Sequence, residues 1–311
     1  TYPEEAPVHN VEVDSFWMLC EGDSIVATGH GSPSVVERVE TEIVDASGAW
    51  LVPGFVDLHG HGGSGHSFDD GPAAIAAALA VHRAHGTTRS IISLVANPID
   101  ELCESLAGIA DLAEVDPLVL GSHLEGPFLA PARRGAHNLD HLLEPAPYEV
   151  ERLIGAARGT LRQITLAPEL PGAFEAIDVL VEAGVLVAVG HTEADFEMTR
   201  AAFDRGARLV THAFNAMPGI HHRQPGPVVA AFEDERVTIE LILDGEHVHP
   251  DVAALAFTAA PGRVALVTDA MAAAGSGDGD YALGSLTVTV RDGLAVLRGT
   301  HTLAGSTLTQ D

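Results

Sequence analysis

No lysine occurs anywhere in the 311-residue chain, and all 16 basic residues are arginine. That absence excludes Schiff-base lysine chemistry, the P-loop lysine and a carboxylated lysine bridging two metal ions. Cysteine is almost as scarce. Cys20 and Cys103 are too few for a disulfide framework and are not spaced as a metal-binding pair, so both read as ordinary thiols. Positive charge is rare overall: 16 basic against 44 acidic residues give a formal charge of -28. Such a field repels nucleic acid and anionic lipid, and an anionic small molecule would need a local cluster of cations and backbone N–H groups. Long hydrophobic runs are missing too. The stretch Ala73 to Val81 falls well short of the roughly 18 residues of a membrane span, and no basic, apolar leader opens the chain. We therefore expect a cytoplasmic protein with neither membrane nor nucleic-acid partners.

What is present is an ample supply of core. Hydrophobic residues make up 46% of the chain and charged ones 19%, the balance of a soluble globular fold. Residues 1–52 are short-patterned and β-rich, with apolar stretches at Phe16 to Leu19 and Ser24 to Thr28 broken by Gly22, Gly29 and Gly31, and they predict a small β-sandwich appendage. From Pro53 the texture changes to short apolar runs alternating with Ala-rich helical stretches. Strand candidates are Gly54 to Leu58, Arg89 to Val95, Leu118 to His123, Gln163 to Ala167, Val185 to Val189, Arg208 to Thr211, Thr238 to Leu243 and Arg263 to Thr268. Helical patterns such as Ala73 to His85, Ala173 to Ala183 and Phe196 to Arg205 separate them. The order predicts an α/β fold, a (β/α)8 TIM-like barrel over residues 53–311, with a doubly wound sheet as the alternative. After a Gly-rich loop at Gly275 to Gly279, Ser285 to Val290 and Leu294 to Arg298 predict a β-hairpin turning at Asp292-Gly293. The chain stops soon after a helix start at Ser306, so we expect a barrel truncated at its C-terminus, with closing strands missing.

Polar residues recur where these apolar runs end. His59 and His61, two apart after the first strand, project to one side of an extended chain, although His-x-His alone is equally a pair of loop histidines. His123-Leu124-Glu125 ends the third run, Gly190-His191 the fifth, Thr211-His212 the sixth and Thr268-Asp269 the eighth. Imidazoles and carboxylates gathered at one barrel rim suit a divalent cation, whether zinc, iron, manganese or cobalt. With lysine absent, Glu125 is the obvious group to bridge two ions. Such ions make hydroxide available near neutral pH and polarise a carbonyl, which points to hydrolysis. Asp269 is the candidate general base.

Gly135-Ala136-His137-Asn138, His212-Ala213-Phe214-Asn215-Ala216-Met217, Asp244-Gly245-Glu246-His247 and Leu303-Ala304-Gly305-Ser306 complete a set of motifs. With His59-Gly60-His61 and His123-Leu124-Glu125-Gly126-Pro127-Phe128, they resemble the amidohydrolase superfamily and, within it, the N-acetylglucosamine-6-phosphate deacetylases, in matching order from about Pro53 onward. The resemblance implies that Glu125, His191 and His212 hold one divalent metal, and that His59 and His61, with Glu125 bridging, hold a second. It implies that Ala136 and His137 touch the sugar, and that the backbone at Asn215 and Ala216, with Arg223 and His247, holds the phosphate. Asp244, Gly245 and Glu246 would belong to the same substrate site, and Leu303, Ala304 and Gly305 would line the pocket. A homodimer with Arg223 reaching the neighbouring site is implied as well. The corresponding activity is hydrolysis of a phosphorylated amino sugar, N-acetylglucosamine 6-phosphate, to glucosamine 6-phosphate and acetate, Asp269 serving as base and then acid. Two alternatives stay open: an amidohydrolase for a different N-acyl or cyclic amide, and a barrel scaffold without catalysis. His66, His82, His85, His141, His221, His222 and His249 have no assigned role.

Overall fold

The computed structural model describes residues 16–31, 42–46 and 49–309. The chain divides into two units, residues 1–52 and 53–311. In the first, Phe16–Glu21 and Ser24–His30 pair antiparallel, with Glu21 opposite Ser24 across a two-residue turn at Gly22 and Asp23. Of the expected sandwich the described residues carry this hairpin; the segment 32–41 lies outside them.

In the second unit eight parallel strands follow one another in chain order around a single sheet. They are Phe55–Asp57, Thr87–Leu94, Val119–Glu125, Leu161–Leu166, Leu186–Val189, Leu209–Val210, Thr238–Ile242 and Val264–Val267. Each strand candidate from the sequence corresponds to one of them. The strands carry apolar residues toward the covering helices, while polar side chains such as Ser93, His123, Gln163, Thr165 and Glu240 are also buried within them. Ile92, Leu94, Ile164, Leu166, Val187, Val189, Ile239 and Leu241 are accordingly buried in one continuous core.

Seven α-helices flank the strands: Pro72–Ala84, Ile99–Val115, Pro147–Ala156, Ala173–Glu182, Phe196–Asp204, Gly226–Glu233 and Pro250–Ala259. Local chemistry sets their starts. Proline opens the first turn at Pro72, Pro147 and Pro250, where a missing N–H costs nothing. The Asp195 carboxylate caps the helix at Phe196 by accepting from the Met198 N–H at 2.8 Å. No helix among the described residues is long and apolar enough to cross a membrane.

The first and eighth strands meet beyond their ends. The Asp269 N–H donates to the His59 carbonyl at 2.8 Å, and the His61 N–H to the Ala270 carbonyl at 2.7 Å. Asp57 adds a side-chain clasp, accepting from the Thr268 N–H at 3.3 Å and the Thr268 hydroxyl at 2.6 Å. Ser306 locks the same seam from a later segment, donating through its hydroxyl to the Thr268 carbonyl at 2.6 Å and through its N–H to the Asp269 carbonyl at 2.7 Å.

After the barrel, Gly279–Leu283, Leu286–Arg291 and Leu294–Leu297 form a three-stranded antiparallel sheet. The Asp292-Gly293 turn has φ of +52° and +79°, the paired left-handed geometry that closes a two-residue hairpin. Sequence analysis places this hairpin but not the first of the three strands. Its Gly-Asp-Tyr-Ala-Leu has weak alternation, and it is held by pairing with Leu286–Arg291 and by packing of Leu283 into an apolar cluster with Val95, Met271 and Val288.

Asp57→Ala is expected to lower the unfolding free energy by roughly 1–3 kcal/mol, because it strands the buried Thr268 donors. Urea denaturation of the two proteins side by side checks this, and an unchanged midpoint would show that the clasp does not hold the seam.

Candidate metal centre and active site

The barrel delivers its polar residues at the C-terminal ends of strands. His59 and His61 follow the first strand, Glu125 ends the third, and His191, His212 and Asp269 follow the fifth, sixth and eighth. All six are buried. Three of them take left-handed backbone, His191 at φ +46°, His212 at +27° and Asp269 at +46°, at a cost of about 1–3 kcal/mol each that packing must offset. Gly190 shows how tight that packing is: a Cβ there would stand 2.7 Å from Thr211 Cβ and 2.8 Å from Thr165 Cγ2.

The donor atoms fall into two triads, His59 with His61 and Asp269, and Glu125 with His191 and His212. In the second, the Nε2 atoms of His191 and His212 are 3.1 Å apart and lie 3.1 and 2.9 Å from Glu125 Oε1. In the first, the Nε2 atoms of His59 and His61 are also 3.1 Å apart, at 3.6 and 3.5 Å from Asp269 Oδ1. Glu125 touches both groups, since its Oε2 lies 3.1 Å from His61 Nε2.

These spacings fit a divalent cation. The outer nitrogen of His191 donates to the Arg133 carbonyl at 2.8 Å, and that of His59 to Glu240 Oε2 at 3.2 Å. Each neutral ring then turns its Nε2 lone pair inward, toward carboxylate oxygens that can only accept. Acceptors facing acceptors are stabilised by a positive charge between them, which a divalent cation supplies. Neighbouring ligand atoms around a four-coordinate ion with bonds near 2.1 Å stand roughly 3.4 Å apart, close to what is seen here. The same carboxylates attract any positive charge: burial works against charge on His59, but Glu125 and Asp269 outweigh it and hold the imidazole well above its usual pKa, so a proton on Nε2 and a cation compete for one place. Burial likewise opposes ionisation of Glu125, yet His59 and His191 hold its carboxyl well below the usual range.

A cavity of about 500 Å³ opens over the centre. His61, Glu125, His191, His212 and Asp269 form its floor, while Ala136, His137, Asn215, Ala216, His247, Leu303 and Gly305 contribute to its wall. His59 lies beneath the floor, fully buried. His137 Nδ1 accepts from the Ala96 N–H at 3.2 Å, so Nε2 carries the proton and points at Glu125 Oε2, 3.2 Å away. Burial lowers its pKa to about 4, keeping the ring neutral.

His247 Nδ1 donates to Asp244 Oδ2 at 2.6 Å, and Asp244 Oδ1 accepts the N–H groups of Glu246 and His247. Burial raises the Asp244 carboxyl, but the His247 hydrogen bonds outweigh it and hold it at about 2. Burial lowers His247, and the Asp244 hydrogen bond outweighs this, so the imidazole sits above its ordinary pKa. Asp244, Glu246 and Gly305 line an adjoining hollow of about 400 Å³ that shares His247. Other predicted positions lie off the main wall. Gly245 sits in the turn between Asp244 and Glu246, at φ +84°. Ala304 packs into the apolar cluster behind the wall, and Arg223 is in an exposed turn with its guanidinium 2.7 Å from His222 Nε2.

Sequence reasoning missed a polar layer beneath the floor. Glu240, fully buried in the seventh strand, accepts from His59 Nδ1, from Gln163 Nε2 at 2.9 Å and from the His212 N–H at 3.3 Å. His123, two residues before Glu125 and on the same face, bonds Ser93 Oγ and Thr165 Oγ1, both at 2.9 Å. Burial pushes the His123 pKa well below its usual value. The available signal was a single carboxylate inside the apolar run Thr238-Ile239-Glu240-Leu241-Ile242.

The profile of the Amidohydrolase family matches residues 50–275. N-acetylgalactosamine-6-phosphate deacetylase of Escherichia coli O157:H7 is 38% identical over 285 residues, covering 90% of this chain and 75% of the relative. N-acetylglucosamine-6-phosphate deacetylase of Vibrio furnissii is 37% identical over 267 residues, covering 83% and 66%. Among solved structures, a Mycobacterium smegmatis N-acetyl-D-glucosamine-6-phosphate deacetylase, an Asp-to-Ala mutant in complex with N-acetyl-D-glucosamine-6-phosphate, superposes with a TM-score of 0.88 at 45% identity. That match covers 94% of this chain and 76% of the other. The chain thus spans between about two thirds and three quarters of the length of these relatives. Barrel, rim chemistry and sequence agree: this chain belongs to the amidohydrolase family.

Proposed function

We propose that the chain hydrolyses the acetamide of N-acetylglucosamine 6-phosphate, yielding acetate and glucosamine 6-phosphate in amino-sugar catabolism. The observation that carries this reading is the convergence of two buried ligand triads on the floor of one cavity, with Asp269 in one of them. The names of the relatives supply the substrate class. A role of this kind fits a cytoplasmic enzyme.

Glu125, His191 and His212 would hold one divalent cation, and His59 and His61, with Glu125 reaching across, a second. Zinc suits the nitrogen-rich donor set, as do iron, manganese and cobalt. A cation bound there lowers the pKa of water toward neutrality and polarises an amide carbonyl. Asp269 accepts the proton of the attacking water. It returns that proton to the amide nitrogen as the C–N bond breaks, so amide and water become amine and acetate. His137, neutral and held between the Ala96 N–H and Glu125, meets the sugar at the cavity wall, with the Ala136 backbone beside it. The Asn215 and Ala216 backbone and the His247 imidazole hold the phosphate, Asp244 fixing the ring of His247. Leu303 and Gly305 close the wall. A homodimer in which Arg223 reaches the partner's cavity belongs to the same proposal, and its exposed position away from its own cavity wall supports that.

The Escherichia coli relative favours a second reading, in which the substrate is the galacto epimer of the same phosphorylated sugar. Acetate release measured on both epimers decides between them, and on unphosphorylated N-acetylglucosamine tests the need for phosphate. Chelation is expected to abolish release and added zinc to restore it; activity that survives exhaustive chelation would sink the metal reading.

Asp269→Asn is expected to lower kcat by about 10²–10⁴-fold with little change in KM, the range for loss of a general acid–base group. Steady-state kinetics gives the answer, and near-normal turnover would remove Asp269 from the proton-transfer role.

For the phosphate site the sign follows from His247. Its protonated form attracts the anion and its raised pKa extends that form upward, so KM should be low at acidic to neutral pH and rise as pH climbs through that pKa. Asp244→Asn should shift the rise to lower pH. Because substrate ionisation is common to both proteins, identical pH profiles of KM would exclude His247 charge as a binding element.

A further inference from the structure

The geometry points to Glu240 as a positioning residue for the metal centre, one that anchors His59 from beneath and sets how tightly the His59–His61 site holds its cation. This rests on the metal reading above but assigns a role to a group that reading does not use. Barrel interiors are ordinarily filled with branched apolar side chains, and a fully buried carboxylate is costly unless hydrogen-bonded donors surround it. Glu240 has three: His59 Nδ1 at 3.2 Å, Gln163 Nε2 at 2.9 Å and the His212 N–H at 3.3 Å.

Two of those donors belong to ligand residues, one from each triad. The bond to His59 fixes which ring nitrogen carries the proton and so turns Nε2 toward the centre, the way outer carboxylates orient metal-binding imidazoles. The bond to the His212 N–H holds a residue whose backbone is left-handed at φ +27°. Side-chain anchoring is uneven across the site. The outer nitrogens of His61 and His212 are buried with no hydrogen-bond partner, whereas those of His59 and His191 are held by Glu240 and by the Arg133 carbonyl. Each triad therefore has one anchored ring, and only the His59 ring is anchored by an anion. Removing that charge should weaken the His59–His61 site far more than the site at Glu125, His191 and His212.

The test uses the full chain loaded with zinc and dialysed against graded chelator, with zinc per chain measured by mass spectrometry. Glu240→Gln, which keeps the shape and removes the charge, is expected to lose one of its two ions, that of the His59–His61 site, at a free zinc concentration about 10–100-fold higher than wild type does, while the other stays. At limiting zinc its kcat should fall with KM unmoved, and excess zinc should restore kcat, which a merely structural defect would not allow. Identical zinc retention by the two proteins overturns the inference alone. Failure of wild type to retain any zinc overturns the metal reading together with it. Should Glu240→Gln not fold, the wild-type protein still decides: the His59 Nδ1 proton, read by nitrogen-edited NMR, is expected far downfield and slow to exchange, and a rapidly exchanging proton at an ordinary shift rejects the anchor.

Discussion

The Glu125 carboxylate is the group on which fold and site jointly depend. Five imidazoles approach it: His212 at 2.9 Å, His61 and His191 at 3.1 Å, His137 at 3.2 Å and His59 at 3.4 Å. A carboxylate this deeply buried is destabilising by several kcal/mol if left unpaired. Its partners come from the first, fifth and sixth strand ends and from the loop after the third strand, so no local segment can satisfy it. Closing the barrel and assembling the centre are the same event in electrostatic terms. The absence of lysine sharpens the point: no carbamate can take over a bridging position, and Glu125 has His61 Nε2 beside one carboxylate oxygen and His191 and His212 Nε2 beside the other.

Around that hub the chain accepts local cost for placement. His191, His212 and Asp269 leave their strands in left-handed conformation, which L-residues avoid. The conformation turns each side chain sharply at the strand end, toward the centre, where a regular extension would carry the chain past it. The offsetting interactions are the seam contacts of Asp57, Thr268 and Ser306 and the polar layer of Ser93, His123, Thr165, Thr211, Gln163 and Glu240. Thr165 Oγ1 and Thr211 Oγ1 bond each other at 2.7 Å, linking the fourth strand to the turn before His212. Rigidity below the floor and strain at the rim are thus complementary parts of one arrangement.

Period and position in the sequence reveal the barrel strands because a parallel strand buried on both faces reads as an unbroken apolar run. They reveal the rim residues because a polar group stands out where such a run ends. The same logic fails in predictable places. Glu240 occurs within a strand, where a polar residue reads as noise until its donors, supplied from strands far away in sequence, are known. The helix Ile99–Val115 carries acidic residues through its length, and Gly279–Leu283 is a strand mainly by virtue of the neighbour it pairs with. The proposed substrate-contact positions are legible only through resemblance. Ala136 and Ala216 have no chemistry of their own, and their presence on the cavity wall depends on where the backbone carries them.

Net charge poses a problem that the site must solve locally. A chain of formal charge -28 repels a phosphate ester over most of its surface, and the floor itself holds Glu125 and Asp269 with Glu240 just below. Two divalent cations would outweigh these three carboxylates and reverse the sign of the floor, and the Asp244 hydrogen bond, outweighing burial, raises the pKa of His247 at the wall. Asp244 has a double effect: its negative charge would oppose an anion nearby, yet through one short hydrogen bond it favours the charged form of the His247 imidazole and fixes its direction. On the proposed reading the negative surface would act as a filter, because long polyanions meet repulsion along their whole length, whereas a single small anion needs only the one place where the field changes sign.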